Sequence, residues 1–471
     1  MIDTIVAPAT TPGTGAISLV RLSGPDSFRI VDTVVKLKSG TVSGSVAYTI
    51  HYGEVFLPDG TLLDQVLVSV FQAPHSYTGE DAVEISAHAS SYIVQELVGL
   101  LLAAGARFAE PGEFTKRAFL NGKMDLAQAE AVADVISSTT SASHRVAMNQ
   151  LKGGFSQELA GLRSELLEMA SLLELELDFS EEEVEFADRE KLLALLHTTQ
   201  AHVDRLAASF RLGNMIKNGV PVAIVGAANA GKSTLLNALL GEDRAIVSEI
   251  AGTTRDTIEE VMNLDGILFR FIDTAGIRES SDTIERIGIE RTFRKLSGAE
   301  IVLALLDMTL PEDMLASQLR LLCPKVDLSS QKLFLLLNKV DLVGFERVNK
   351  NVTAINKYVS SLDCKVVILN LSAKNGEGIA ALKSALVSAE KDLLPAEDAV
   401  FVTNVRHLEA LRSASSALQD CIASLSRGIP SDLVAEDLRR ALTSINTILG
   451  TDLLDPEEIL HNIFRNHCIG K

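Results

Sequence analysis

The residues best equipped for chemistry sit in mid-chain, at Gly226-Ala227-Ala228-Asn229-Ala230-Gly231-Lys232-Ser233-Thr234. Two glycines bracketing a four-residue turn let the backbone point its N–H groups inward, Lys232 can reach the β- and γ-phosphates of a nucleotide, and Ser233 can hold Mg2+. Such a turn works only between a buried strand and a helix start, whose positive dipole end faces the phosphates. Val222-Ala223-Ile224-Val225 supplies the apolar run and Thr234 to Leu240 the amphipathic one.

Three later stretches narrow the nucleotide. Phe269 to Ile272 reads as a strand ending in Asp273-Thr274-Ala275-Gly276, an Asp for the Mg2+ shell and a Gly free to approach the γ-phosphate. Leu333 to Leu337 reads as a buried strand ending in Asn338-Lys339-Val340-Asp341. A carboxylate at Asp341 can accept from guanine's N1–H and its exocyclic amine, a donor pair adenine does not have, while Lys339 can lie over the base. Val366 to Leu371 gives a further strand, followed by Ser372-Ala373-Lys374, a turn suited to guanine O6. The ordered set points to GTP and GDP as ligands.

The elements that position these motifs occupy only the middle of the chain. From the start to about Phe119, short strands alternate with turns: Ala16 to Leu22 reads as a strand and Pro25 to Val35 as a helix. Val55-Phe56-Leu57 and Leu67 to Phe71 flank the turn Pro58-Asp59-Gly60, which predicts antiparallel pairing, and Ser91 to Ala104 has a helical period. This is an α+β pattern. Long helices follow, Leu126 through Leu151, a break at Gly153-Gly154, then Phe155 onward, where Leu159, Leu162, Leu166, Met169 and Leu173 form one stripe suited to a bundle core. Ser180 to Glu185 reads as a solvated turn, and another helix runs from about Asp188 to Leu212. Helices return after Pro395: His407 to Leu425, Ser431 to Leu449 and Pro456 to about Phe464, with Ser431 and Asp455 as N-caps. Neither helical flank alone encloses a core, so the pattern predicts one helical bundle with an α/β Ras-like P-loop domain inserted into it. The expected boundaries are an N-terminal α+β domain over 1–119, helical residues 120–215, the nucleotide domain over 216–392 and the second helical part over 393–471.

Composition bounds the partners. At 471 residues and 47% hydrophobic the chain is long enough for about three cores. A net charge of −19 repels nucleic acid at long range, so contact with RNA must be local or assisted. The basic clusters Arg107, Lys116, Arg117, Lys123 and Arg406, Arg439, Arg440 read as solvated mixed surface. The four cysteines Cys323, Cys364, Cys421 and Cys468 form no C-x-x-C pair, which suggests reduced thiols rather than a disulfide framework or zinc site. With no run of about 18 apolar residues and no basic flank at Met1 to Pro8, a cytoplasmic protein without a membrane partner is expected.

These features resemble the MnmE (TrmE) family of tRNA-modification GTPases along the whole chain. The resemblance is carried by Gly252-Thr253-Thr254-Arg255-Asp256, Asp273 to Gly276, Glu285 to Arg291, Pro111-Gly112-Glu113-Phe114 and the terminal Cys468-Ile469-Gly470-Lys471. It implies a role with the FAD-dependent partner MnmG (GidA) at C5 of the wobble uridine of certain tRNAs, joining there a one-carbon unit and an amine. The carrier would be 5,10-methylenetetrahydrofolate or 5-formyltetrahydrofolate, bound near the boundary of a homodimer of N-terminal domains. The folate contacts it implies are Arg21, Glu84, Lys123 and Lys471, types that suit a carboxylated tail and a pterin edge. Ala89-Ser90-Ser91 stands where the family usually has glycines. Cys468 reads as a residue packed beside the pocket rather than a nucleophile, since no imidazolium is recognisably placed to lower its pKa.

Ras-like proteins orient the attacking water with a Gln directly after the D-T-A-G motif, and this chain has Ile277 there. The resemblance points instead to Glu285 for the water and to K+ in place of an arginine finger. Asn229, Ser248, Ile250 and Thr253 would ligate the K+, and Ser233 and Thr254 the Mg2+. Two other readings compete. A ribosome-assembly GTPase of the Era or Der kind shares the nucleotide motifs but predicts a basic RNA-binding appendage, and none is evident. A folate-binding scaffold with a nucleotide switch predicts folate binding without GTP-dependent tRNA modification.

Overall fold

A computed structural model describes residues 3–178, 189–241, 260–272, 298–360, 366–391, 399–451 and 470. It divides into two compact units: Met1–Ser137 with Ala147–Asp204 and Glu409–Lys471, and Ser138–Val146 with Arg205–Leu408.

The first unit opens with β1 (Ile5–Pro8), β2 (Ile17–Ser23), α1 (Ser27–Val34), β3 (Val35–Leu37), β4 (Thr49–Phe56), β5 (Leu62–Phe71), β6 (Ala82–His88), α2 (Ser91–Ala103) and β7 (Arg107–Phe108). The strands form one sheet in the order β3-β4-β5-β6-β2-β1-β7, antiparallel throughout except for the β1–β7 pair. The expected hairpin is present, with Tyr52 opposite Leu67 and a bulge at Val55/Phe56. Alternation decides the faces. Val66, Val68, Val70, Val83 and Ile85 are buried with Ile30, Val31, Leu97 and Leu101 of α1 and α2. Ile17, Ile50, Tyr52 and Leu67 point to the opposite face and stay exposed.

Helices α3 (Glu113–Leu120), α4 (Leu126–Ser137), α5 (Ser141–Leu151), α6 (Gly154–Asp178) and α7 (Arg189–Asn218) follow. The helix expected from Leu126 through Leu151 is thus two. Ser138-Thr139-Thr140 breaks it because Thr140 and Ser143 cap a new start reciprocally: Ser143 N–H donates to Thr140 Oγ1 and Thr140 N–H to Ser143 Oγ, both at 3.1 Å. α7 also runs on to Asn218, past the expected Leu212.

The second unit is built on β8 (Val220–Gly226), α8 (Lys232–Leu240), β9 (Glu260–Leu264), β10 (Ile267–Ile272), β11 (Ile301–Asp307), α9 (Glu312–Leu322), β12 (Lys332–Asn338), α10 (Phe345–Val359), β13 (Val366–Asn370) and α11 (Ile379–Ala389). Its sheet has the order β13-β12-β11-β8-β10-β9 and is parallel except for the β9–β10 hairpin. β11 is buried along its whole length, as a strand covered on both faces must be. Ala142, Val146, Met215 and Ile216 share one core with β8, β10 and α8.

Among the described residues, α12 (Val405–Ser426) and α13 (Ser431–Leu449) follow. Ser431 is the first residue of α13 rather than its cap. Pro430, with extended backbone, precedes the helix because proline lacks the N–H that the first turn leaves unpaired anyway. α13 packs along α6, and the stripe Leu159, Leu162, Leu166, Met169 and Leu173 is buried, as the spacing predicts for a bundle core. Asp455 and the expected helix Pro456 to Phe464 lie outside the described residues.

Candidate functional site

Because β8, β11, β12 and β13 are parallel, the loops leaving their C-terminal ends meet at one edge of the sheet, where open α/β sheets bind ligands. The phosphate loop leaves β8. Its Gly231 adopts φ +102, and a Cβ there would stand 2.5 Å from Asn338 Nδ2, so the position requires glycine. Gly231 precedes α8 without a side-chain cap, which leaves the first N–H groups of the helix open to an anion. Asn229 is exposed with φ +60. Ser233 and Thr234 are exposed on the first turn. Lys232 Nζ donates to the carbonyls of Gly226 and Ala227 at 2.9 and 2.8 Å, and burial lowers its pKa.

Asn338 joins the phosphate side to the base side. Buried, it donates from Nδ2 to Ala230 O at 2.7 Å and accepts the Ala373 N–H at Oδ1 at 3.0 Å. Lys339 adopts φ +65, and its Nζ donates to Asp307 Oδ2 at 2.5 Å. Asp307 also accepts from Thr309 N and Oγ1 at 3.0 and 2.7 Å. Partial burial pushes the Asp307 carboxyl up, but the Lys339 and Thr309 bonds outweigh it and hold the pKa below the usual value. Asp341 is exposed on the turn Val340–Leu342. Ser372 and Ala373 are buried, Ser372 Oγ accepts from Asn375 N at 3.3 Å, and Lys374 is exposed. The sequence reading passed over Asp307 and Thr309. Their signal was the same as at Asp273, an apolar strand ending in Asp.

A second cluster lies in the first unit, on the exposed face of its sheet. Arg21 and Glu84 are directly opposite on β2 and β6, bonded at 2.9 Å from Nε and 2.7 Å from Nη2. The guanidinium lies 5.6 Å from the Tyr77 ring centroid and 5.7 Å from that of Phe114, and its Nη1 donates to Gly470 O at 3.2 Å. Burial raises the Tyr77 pKa, against the Thr115 hydrogen bond and the Arg21 charge. Lys123 Nζ donates to Pro74 O at 3.0 Å, and its side chain packs beside Gly79, so Lys123 and Arg21 lean on the same loop, residues 74–79. Tyr77, Phe114 and Gly470 were not foreseen as neighbours of Arg21; only the tail motif hinted at Gly470.

One expectation is corrected. Arg117 is not solvated surface: its guanidinium is fully buried and bonded to Glu80, Glu113 and Asp3. Arg107 pairs with Asp3 and Glu113, so Glu113 of the P-G-E-F segment sits between two cations. The sequence pattern hid this because two of the three acids, Asp3 and Glu80, come from distant segments and only Glu113 is a helix neighbour. Cys421 is buried and its thiol is pushed up to about 12 by burial, which makes it inert; Cys323 is also buried. Ser248, Ile250, Thr253, Thr254, Asp273, Thr274, Ala275, Gly276, Glu285, Cys364, Cys468 and Lys471 lie outside the described residues.

Comparison with known proteins covers the whole chain. The family model "MnmE helical domain" matches residues 126–468 and "GTP-binding protein TrmE N-terminus" matches residues 4–123. A protein of Bacteroides fragilis named tRNA modification GTPase MnmE is 49% identical over 473 residues, covering 100% of this chain and 99% of the relative. One of the same name from Cytophaga hutchinsonii is 48% identical, covering 100% and 98%. A solved Era structure from Aquifex aeolicus is 28% identical, covering 42% of this chain and 66% of that one, with a TM-score of 0.27 that carries no argument.

Proposed function

This chain belongs to the MnmE family of tRNA-modification GTPases, and from that premise we propose how its two clusters divide the work. The chain hydrolyses GTP in tRNA modification. With an FAD-dependent MnmG (GidA) partner it adds an aminomethyl or carboxymethylaminomethyl group to C5 of the wobble uridine of certain tRNAs, in the cytoplasm. Among the described residues no helix is long and apolar enough to cross a membrane.

The observation that carries the nucleotide half is Asn338, which ties the phosphate loop and the S-A-K loop into one rigid edge. Guanine would be recognised by Asp341, with Lys339 held at the base side by Asp307. Lys232 would exchange the Gly226 and Ala227 carbonyls for phosphate oxygens, a transfer favoured because a partly desolvated ammonium gains more from an anion than from two carbonyls. Ser233 and Thr254 would hold Mg2+. Asn229, whose turn leaves its side chain exposed at the loop, would hold K+ with Ser248, Ile250 and Thr253. These ions supply positive charge where the transition state needs it, and Glu285 would orient the water.

The second cluster fits a reduced folate in part. Glu84 on β6 and Lys123 beside the 74–79 loop offer a carboxylate and an ammonium, with Arg21 and Lys471 as the other two contacts. The exposed Ile17, Ile50, Tyr52 and Leu67 on the same sheet face support pairing of two N-terminal domains beside it. Mass spectrometry of wobble uridines from cells with and without the protein tests the whole reading. Loss of the C5 group is expected. Unchanged uridines with accumulating ribosome precursors would instead favour a ribosome-assembly GTPase.

A further inference from the structure

We propose that Ser209 and Gly213 of α7 clasp residues 401–403, so that the chain's entry into the second unit and its exit from it form one lever, and that this lever carries the GTP-dependent step to tRNA modification. Ser209 and Gly213 stand a helical turn apart and so share a face. Ser209 Oγ accepts the Val402 N–H at 3.0 Å and donates to Leu206 O at 2.6 Å, which fixes the hydroxyl at both ends. At Gly213 a Cβ would stand 2.2 Å from Val402 O and 3.0 Å from Val402 C, both backbone atoms, so the segment lies against α7 only because that position has no side chain. Glycine is disfavoured inside a helix relative to alanine, and this close approach is the physical reason for its place here. The clasped segment is interior: Val402 is fully buried, Thr403 nearly so, and Phe401 packs against the core that Met215 and Ile216 of α7 enter.

A second hold ties the same helix to the sheet. Arg211 Nη2 donates to Glu300 Oε1 at 2.6 Å and to Ser330 O at 3.0 Å, just before β11 and β12 begin. Lys332, at the start of β12, donates from Nζ to Ala389 O at 2.6 Å and lies 2.8 Å from Glu390 Oε1, at the end of α11. Both connections are thus fastened at strand starts, the edge of the sheet opposite the nucleotide loops, and the close-packed parallel strands between the two edges are the stiff link. Away from the clasp, α7 reaches back unbroken to Arg189 and α12 runs on to Ser426, and in the first unit Ser415 Oγ of α12 donates to Asp204 Oδ1 of α7 at 2.6 Å. A displacement at the strand starts must then carry both helices together. The lever's task rests on the GTP-dependent tRNA modification proposed above, whereas the clasp rests only on contacts within the second unit.

The test uses the full-length protein with Gly213→Ala, which drives a methyl into the Val402 carbonyl, and Ser209→Ala, which removes the acceptor and leaves the helix its shape. Three quantities are read: hydrogen–deuterium exchange of peptides spanning 399–404, GTP turnover, and the C5 group on wobble uridines in cells whose only copy is the variant. Exchange faster by about tenfold or more is expected in both variants, with GTP turnover unchanged. Modification should fall by about fivefold or more in Gly213→Ala. If Gly213→Ala does not fold, Ser209→Ala reads the same three quantities. Exchange at the parent rate in the folded variants overturns the clasp. Faster exchange with parent-level modification upholds the clasp and overturns the lever, as does a fall in GTP turnover equal to the fall in modification, since damage to the nucleotide site then accounts for both. Parent protein that fails to restore the C5 group overturns the reading of function, and the exchange result decides the clasp in either case.

Discussion

At the scale of single residues, the site depends on side chains that bond the backbone around it. Asn338 bonds a backbone group at each end of its amide and so fixes the two loops, while Asp341 is exposed on the next turn, open to a base. Asp341→Asn removes a charge-assisted acceptor for two guanine donors and should weaken GTP by about 2 kcal/mol or more, read by calorimetry. The same variant should gain affinity for XTP, whose C2 oxygen accepts where guanine's amine donates. In the N-terminal unit Arg117 carries comparable weight. Replacing it by Met strands Glu80 and Glu113 and should cost about 3 to 5 kcal/mol in urea unfolding. The pH dependence has a definite sign. Burial pushes the Asp3 and Glu113 carboxyls up, but the arginines outweigh it, and both titrate below their ordinary values of 3.8 and 4.5. Their contribution is therefore complete above those values and is lost as pH falls through the lowered ones. Urea midpoints should drop as the pH is lowered below about 4.5, and less steeply in Arg117→Met.

At the scale of elements, a helix boundary and a helix face show the two ways sequence acts. The start of α5 is set by two hydroxyls, Thr140 and Ser143, which satisfy each other's N–H groups. Thr140→Ala should destabilise the second unit by about 1 kcal/mol, since α5 contributes Ala142 and Val146 to the core of that sheet. Thermal unfolding followed by circular dichroism would register it, and an unaltered midpoint would show that the cap is dispensable. The α6 stripe acts by burial instead. Leu166 is fully buried, and its truncation to Ala should cost about 2 to 5 kcal/mol.

At the scale of the whole molecule, hydrolysis needs parts that the described site does not contain. Ile277 has no polar group for the water, so turnover should depend on Glu285, with Glu285→Ala lowering kcat by about 100-fold or more while GTP affinity is little changed. Held oxygens spaced for K+ fit the smaller Na+ poorly. Turnover should accordingly be faster in KCl than in NaCl, and pairing of two nucleotide domains should raise it further. Equal rates in the two salts, or full activity of Glu285→Ala, would refute that mechanism.

Sequence by itself determined what depends on local pattern. The phosphate loop was legible because Gly226, Gly231, Lys232 and Ser233 are adjacent in the chain, and the apolar strands before it and before Asn338 could only be buried. The α6 stripe was equally plain, since its period is a property of one helix. Tertiary structure decided whatever depends on segments meeting. Asn338 became the stitch between Ala230 and Ala373, and Asp307 the partner of Lys339, because parallel pairing brings four strand ends to one edge. Arg117 was pulled inside by acids at positions 3, 80 and 113, and Arg21 was committed to Glu84 and Gly470. Apart from the i,i+4 pair Glu113–Arg117, no short window of sequence contains those pairs. Their energies come from desolvated charges and close backbone contacts that exist only once the chain has closed on itself.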